Sequence, residues 1–188
     1  PRTMAHAKTN IMVHYGLSEV PADAALPAID IAPGRAVAVS HEVANTYLDR
    51  LTRVRGYRFI SSPAVFTTPG DAATVSQLDT DKAGLQTDGH EMTVTVTTGS
   101  DKSLVLDMTA RRRVGDAWQP LFFADDLVLR PDQTLIYIEP ASDNTRTRTV
   151  LIARPSAYPA GTGPRQSAAE LTKQTFKQTD SVDAASAR

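Results

Sequence analysis

Four histidines, His6, His14, His41 and His90, are the residues best able to move a proton or hold a metal near neutral pH. No two stand at a spacing typical of metal ligands on one helix, and none belongs to a motif that marks a general base. Asp79, Asp81 and Asp88 bring three carboxylates close together, a chemistry that suits Ca²⁺. Gly84 and the missing late Glu break the pattern of an EF-hand, so a solvated acidic loop is expected. Asp125 and Asp126 are adjacent; on a strand they point to opposite faces and cannot work as a carboxylate pair. Ser61-Ser62-Pro63 lacks the glycines of a nucleophile elbow. Gly161-Thr162-Gly163 falls in a linker with no strand predicted before it, so it does not read as a phosphate loop. The run Arg111-Arg112-Arg113 is the sharpest charge feature. Its members alternate between faces if the run is a strand, so they cannot all meet one phosphate backbone. A solvated strand end pairing with acidic neighbours is expected, with Arg146, Arg148 and Arg154 on the same sort of surface. Cysteine is absent, which removes disulfides, thiolate metal sites and a cysteine nucleophile together. No catalytic, cofactor-binding or metal-binding residue is predicted, and the expected class is non-enzymatic.

The elements that carry these residues follow from composition and period. The 188 residues suit one domain with appendages or two small ones, and at 41% hydrophobic the chain can bury a core. A net charge of −1 gives no basic field for nucleic acid, and no apolar run reaches the roughly 18–20 residues of a membrane-spanning helix. A soluble chain is expected. It opens Pro1-Arg2-Thr3, without an initiator Met or an apolar signal core, and reads as a mature product or an excised fragment.

Three zones are predicted. Residues 1–35 mix short apolar groups with Pro21, Pro27 and Pro33, which reads as an extended N-terminal arm with room for one short strand. Residues 36–156 form the folded body. It starts with a strand at 36–39, then Ser40 as N-cap and Glu42 in the first turn of a helix. The apolar face of that helix is Val43, Ala44, Tyr47, Leu48, Leu51 and Val54, and Gly56 is its stop. Residues 57–67 then read as a strand interrupted at Pro63, with a tight turn at 68–71 and a partner strand at 72–76. Residues 77–90 read as a polar loop. Strands follow at 91–97, 104–108, 126–130, 134–139 and 148–153, several alternating strictly. Short strands with turn chemistry between them predict a mainly β domain with one helix, folded as an antiparallel sandwich or curled sheet. Residues 157–188 open with a linker composition and end in a small, polar C-terminal tail.

Within 36–156 the order of short motifs resembles the conserved β-domain of bacterial secretins, the ring-forming outer-membrane proteins of secretion and pilus systems. The helix leading into Ser61-Ser62-Pro63-Ala64-Val65 looks like the family's helix and the strand after it. Thr68-Pro69-Gly70-Asp71-Ala72-Ala73 is similar to the turn that follows, and the strands at 92–96 and 104–108 to the paired strands before the membrane region. Val128-Leu129-Arg130-Pro131-Asp132-Gln133-Thr134-Leu135-Ile136 and Val150-Leu151-Ile152-Ala153-Arg154-Pro155 look like the closing strands. The family's long gate and wall hairpins have no counterpart, because 77–89 reads as a loop and no strand of about 9–11 residues with an outward apolar band is evident. Ile138-Glu139-Pro140 also stands where the family has Gly-Gly-Leu.

The resemblance implies a structural component of the bacterial cell envelope, periplasmic or associated with the outer membrane. It would form homo-oligomers, or dock on other envelope proteins, without making a pore itself. Residues 1–35 and 157–188 have little core of their own, so they are expected to contact neighbouring subunits while the body folds alone. The rival expectation is an extracytoplasmic binding module that takes a peptide or glycan on a sheet edge or loop.

Overall fold

The computed structural model describes residues 9–29, 31–80, 86–99, 101–141 and 146–159. The one helix among the described residues forms where the sequence places it. Ser40 caps α1 (His41–Leu51), its hydroxyl accepting from the Val43 N–H at 3.3 Å, with Glu42 in the first turn. Ala44, Tyr47, Leu48 and Leu51 are buried, whereas Val43 is exposed. The helix ends earlier than the glycine stop. Beyond Leu51 the chain tightens into short-range bonds from Arg53 to Arg50 and from Val54 to Leu51. Gly56 follows at φ +82, and a Cβ there would meet the Pro21 ring at 2.7 Å.

The strands form two antiparallel sheets. Sheet A takes β1 (Thr9–Pro21), β2 (Ala36–Ser40), β3 (Arg58–Ser61), β4 (Ala64–Thr67), β9 (Gln133–Ile138) and β10 (Thr147–Pro159), in the order β2-β9-β10-β1-β3 with β4 also on β1. Sheet B takes β5 (Ala72–Thr80), β6 (Gln86–Thr98), β7 (Leu104–Val114) and β8 (Ala117–Leu129), in that order. Their facing sides share one core. Ile11, Val13, Tyr15, Leu135 and Leu151 meet Met92, Val94, Leu106, Met108 and Phe122. On the other side of sheet A, α1 covers Val20, Ile136, Ile138, Val150 and Ile152. Helix, sheet and sheet make three layers, the mainly β sandwich with one helix that the period of the sequence predicts.

Three local readings need correction. Residues 9–21 are not a loose arm: β1 is a thirteen-residue strand between β10 and β3/β4, with Ile11, Val13, Leu17 and Val20 fully buried. Ile11, Val13, Tyr15 and Leu17 alternate onto the core shared with sheet B, while Val20 turns to the helix side. Pro21 ends this strand instead of breaking it, and Pro27 and Pro33 lie in the loop after it. The strand at 72–76 does not partner 57–67. The turn at 68–71, with Gly70 at φ +88, hands the chain from sheet A to sheet B, where β5 pairs with β6. The interruption at Pro63 is where expected, at the sheet edge between β3 and β4, and the Pro63 carbonyl accepts from the Tyr15 N–H at 2.9 Å.

Residues 77–80 and 86–90 are not a loop but strand. Gln77, Leu78 and Asp79 continue β5 and pair with His90, Gly89 and Asp88 of β6, so the polar stretch is mostly hairpin. β7 and β8 are also longer than the alternation indicates, and β8 begins well before 126. Sheet B therefore has strands of nine, thirteen, eleven and thirteen residues, and the expected shortage of long strands is overturned. Their outward face is rich in threonine (Thr74, Thr93, Thr95, Thr109) and is interrupted by Phe123 and Val128. No described helix is long and apolar enough to cross a membrane.

Candidate functional site

Alternation along β10 turns Arg148, Val150, Ile152 and Arg154 toward the helix layer. The middle pair is covered by α1, and the two arginines fall at its two ends. At the N-terminal end of α1, Arg154 donates from Nε to the Thr134 hydroxyl at 3.2 Å and from its terminal amino group to Asn45 Oδ1 at 2.9 Å. His14 stands opposite Arg154 in the β1–β10 register, and its Nε2 lies 2.9 Å from the Ser62 hydroxyl. That hydroxyl also donates to the Tyr15 carbonyl at 3.1 Å. His41 contacts the Gln133 carbonyl through Nε2 at 3.2 Å. Two of the four histidines thus come together around one arginine, a grouping their spacing in sequence does not announce.

A serine 2.9 Å from an imidazole has the reach of an activated nucleophile. The electrostatics are those of a different site. Burial holds His14 below its usual pKa and Arg154 lowers it further, while a backbone contact with Ser62 raises it. His41 is lowered by burial first and then by Arg154. A triad places a carboxylate beside the imidazole to stabilise the imidazolium. Beside His14 the charged neighbour is a cation, which disfavours it, and at His41 the Asp132 carboxylate acts the other way but more weakly than Arg154. Burial also lowers the Arg154 pKa, and its recorded partners are neutral oxygens. The cluster is a hydrogen-bonded seam joining β1, β9, β10 and α1.

The other candidate residues lie apart from this seam. His90, in β6, faces Gln77 and Arg112 in register, and Asp79 and Asp88 pair across the β5–β6 hairpin. No group of three metal-ligating side chains occurs among the described residues. His6, Asp81, Gly84 and Gly161-Thr162-Gly163 lie outside them, although β10 runs to Pro159, so a strand does precede the Gly-Thr-Gly run. Asp126 sits at φ +52 with its N–H donating to Asp107 Oδ1 at 2.8 Å, a bulge in β8.

Arg111, Arg112 and Arg113 each find a separate acid. Arg111 pairs with Glu91 at 2.6 Å and stacks on Trp118, and Arg113 pairs with Asp116 at 3.6 Å. Arg112 grips Glu139 at 3.1 and 3.3 Å, tying sheet B to sheet A, and Glu139 also accepts from the Thr149 N–H at 3.0 Å. Sequence reasoning found the acid pairing of this run but missed that one member bridges the sheets. Arg148 departs further from expectation, because it is buried.

The exposed apolar residues gather elsewhere. β8 is an edge strand of sheet B and leaves Phe123 67% and Val128 56% exposed. Beside them a groove of about 400 Å³ runs between β8 and the β2 edge of sheet A, lined by Ala36, Pro120, Phe122, Leu127 and Tyr137 among others.

No family model matches this sequence, and no curated protein does either. Among solved structures, the chain is similar to the secretin InvG of the Salmonella SPI-1 type III secretion injectisome, residues 176 to its end, in the open gate state. The identity is 10% and the TM-score 0.33, over 92% of this chain; this chain spans 65% of that one.

Proposed function

We propose that this chain is a non-enzymatic assembly component of a bacterial cell-envelope complex, held in the periplasm or at the outer membrane, that forms homo-oligomers without making a pore itself. The reading of the envelope rests on the ordered secretin-like motifs within 36–156. The observation that carries assembly is the β8 edge. Two large apolar side chains stand exposed beside an apolar groove, on a strand whose outer N–H and C=O groups have no sheet neighbour among the described residues. Such an edge is a site for a second chain unless it is covered. Pro120 and the bulge at Asp126 bound the stretch around Phe123 and restrict the register of backbone pairing there, while Val128 adds a side-chain contact beyond the bulge. Since β1 lies inside sheet A, the contact belongs to the body and not to the 9–21 segment.

Light scattering after size exclusion tests this directly. The full chain is expected to run as a closed oligomer, and Phe123→Lys with Val128→Lys to run as a folded monomer. A chain that is monomeric at every concentration, or a double variant that keeps its assembly, refutes the proposal.

A further inference from the structure

Arg148 was expected among the surface cations, yet only 9% of it is exposed. One terminal amino group donates to the Ala24 carbonyl at 2.7 Å, and its Nε is buried with no hydrogen-bond partner. None of the ion pairs among the described residues includes it. A guanidinium taken out of water normally arrives with an acid, because one neutral carbonyl replaces little of its hydration. This one instead lines a cavity of about 290 Å³ whose other walls include Leu26, Pro27, Ile29, Ile31 and Ile138. Over the cavity, the stretches 24–29 and 31–34 carry backbone bonds from the Ala24 N–H to Pro21, from Ile31 to Ile29 and from Gly34 to Ile138, which hold them to the sheet before any ligand arrives.

We propose that this cavity binds a carboxylate carried on a branched apolar group, with Arg148 taking the carboxylate and Leu26, Ile29, Ile31 and Ile138 the apolar part. The guanidinium is a fork of five donors matched to the two oxygens of a carboxylate; Nε is shut off from solvent, and the terminal amino group that does not bond Ala24 has no hydrogen bond among the described residues. The volume falls at the small end of ligand clefts, which run from about 300 to 1,000 Å³, so a single residue-sized group fits and a nucleotide does not. An apolar residue at the free C-terminus of a polypeptide presents this chemistry, and so does a free branched acid. The site lies on the helix side of sheet A, away from β8, and stands or falls independently of the assembly reading.

The test titrates the ¹⁵N-labelled full chain with acetyl-Gly-Ala-Leu bearing a free carboxylate, with the C-terminal amide of the same peptide, and with 4-methylpentanoate. The free-acid peptide is expected to shift the Ala24, Leu26 and Arg148 Nε–H resonances saturably. The amide should bind roughly ten- to a hundred-fold more weakly, the size of a lost hydrogen bond to a charged group. Arg148→Met should abolish binding. Because that variant can disturb the fold, Ala28→Trp, which fills the mouth from an exposed position, should give the same loss with Arg148 intact. Saturation by 4-methylpentanoate at comparable affinity identifies the free acid as the ligand, and saturation by the peptide alone identifies a chain terminus. Equal affinity for acid and amide, unimpaired binding by Ala28→Trp, or no saturable shift at millimolar concentrations of either acid overturns the proposal.

Discussion

Replacing Glu139 by Ala is expected to destabilise the fold more than replacing Arg112 by Met, although the two side chains form one ion pair. Glu139 serves two partners: both terminal amino groups of Arg112, and the N–H of Thr149, which is 1% exposed. Its removal leaves a half-buried cation whose Nε already has no partner, together with an unsatisfied buried amide. Breaking a buried pair from one side costs about 3–5 kcal/mol. The side chains here are 19% and 14% exposed, so water recovers part of this and about 3 kcal/mol is expected. Arg112→Met keeps an apolar stem against the sheet and keeps the Thr149 bond to the carboxylate. Its cost should be about 1–2 kcal/mol, the scale of a charged hydrogen bond exchanged for partial hydration. Urea unfolding measures both, read as a shift in midpoint at constant slope. If the two variants agree within about 0.5 kcal/mol, or Arg112→Met is the more costly, Glu139 does not hold two elements at once and the asymmetry argument fails.

Two further outcomes follow from the seam and from the central strand. Deleting residues 1–35 is expected to abolish cooperative unfolding, since it takes β1 out from between β10 and β3/β4; a sharp urea transition in the truncated chain would refute this. Stability should also fall on acidification. Burial and Arg154 hold His14 and His41 below the usual histidine value of about 6.5, so the unfolded chain takes up protons there before the folded one does. Stability present above pH 6.5 is therefore lost as pH falls toward the folded values, and His14→Asn with His41→Asn should flatten the dependence; an unchanged slope of urea midpoint against pH refutes it.

The sequence displays most clearly what a single period controls. Ser40, Glu42 and the spacing of Ala44, Tyr47, Leu48 and Leu51 announce α1, and Met92, Val94 and Val96 alternate because only one of their faces meets a core. β1 was hidden for a different reason: Ile11, Val13, Tyr15 and Leu17 do alternate with His14, Gly16 and Ser18, but Pro21, Pro27 and Pro33 close behind them read as an arm, and nothing local names the strands that pair with it. The hairpin ends at Gln77–Asp79 and Asp88–His90 were hidden because Leu78 is their one apolar side chain, and backbone pairing leaves no mark on composition. Register across distant strands set the candidate sites. His14 meets Arg154, and Arg112 meets Glu139, only because β1 pairs with β10 and sheet B lies against sheet A. No local motif encodes either meeting. Arg148 looks like any surface arginine until the stretches 24–29 and 31–33 are laid over it.

The pairing of β1 with β10 also sets the order of events during synthesis. The first described strand completes its longest ladder only with the last, so sheet A cannot close until nearly the whole described chain has left the ribosome. At about 5–20 residues per second, β1 waits for several seconds with apolar side chains on both faces uncovered. Sheet B, a meander of neighbours in sequence, can pair in the meantime and present the platform on which β1 and β10 later meet. The central strand is thus the segment most in need of a holding chaperone, and the step that consumes it is the last long-range closure of the fold.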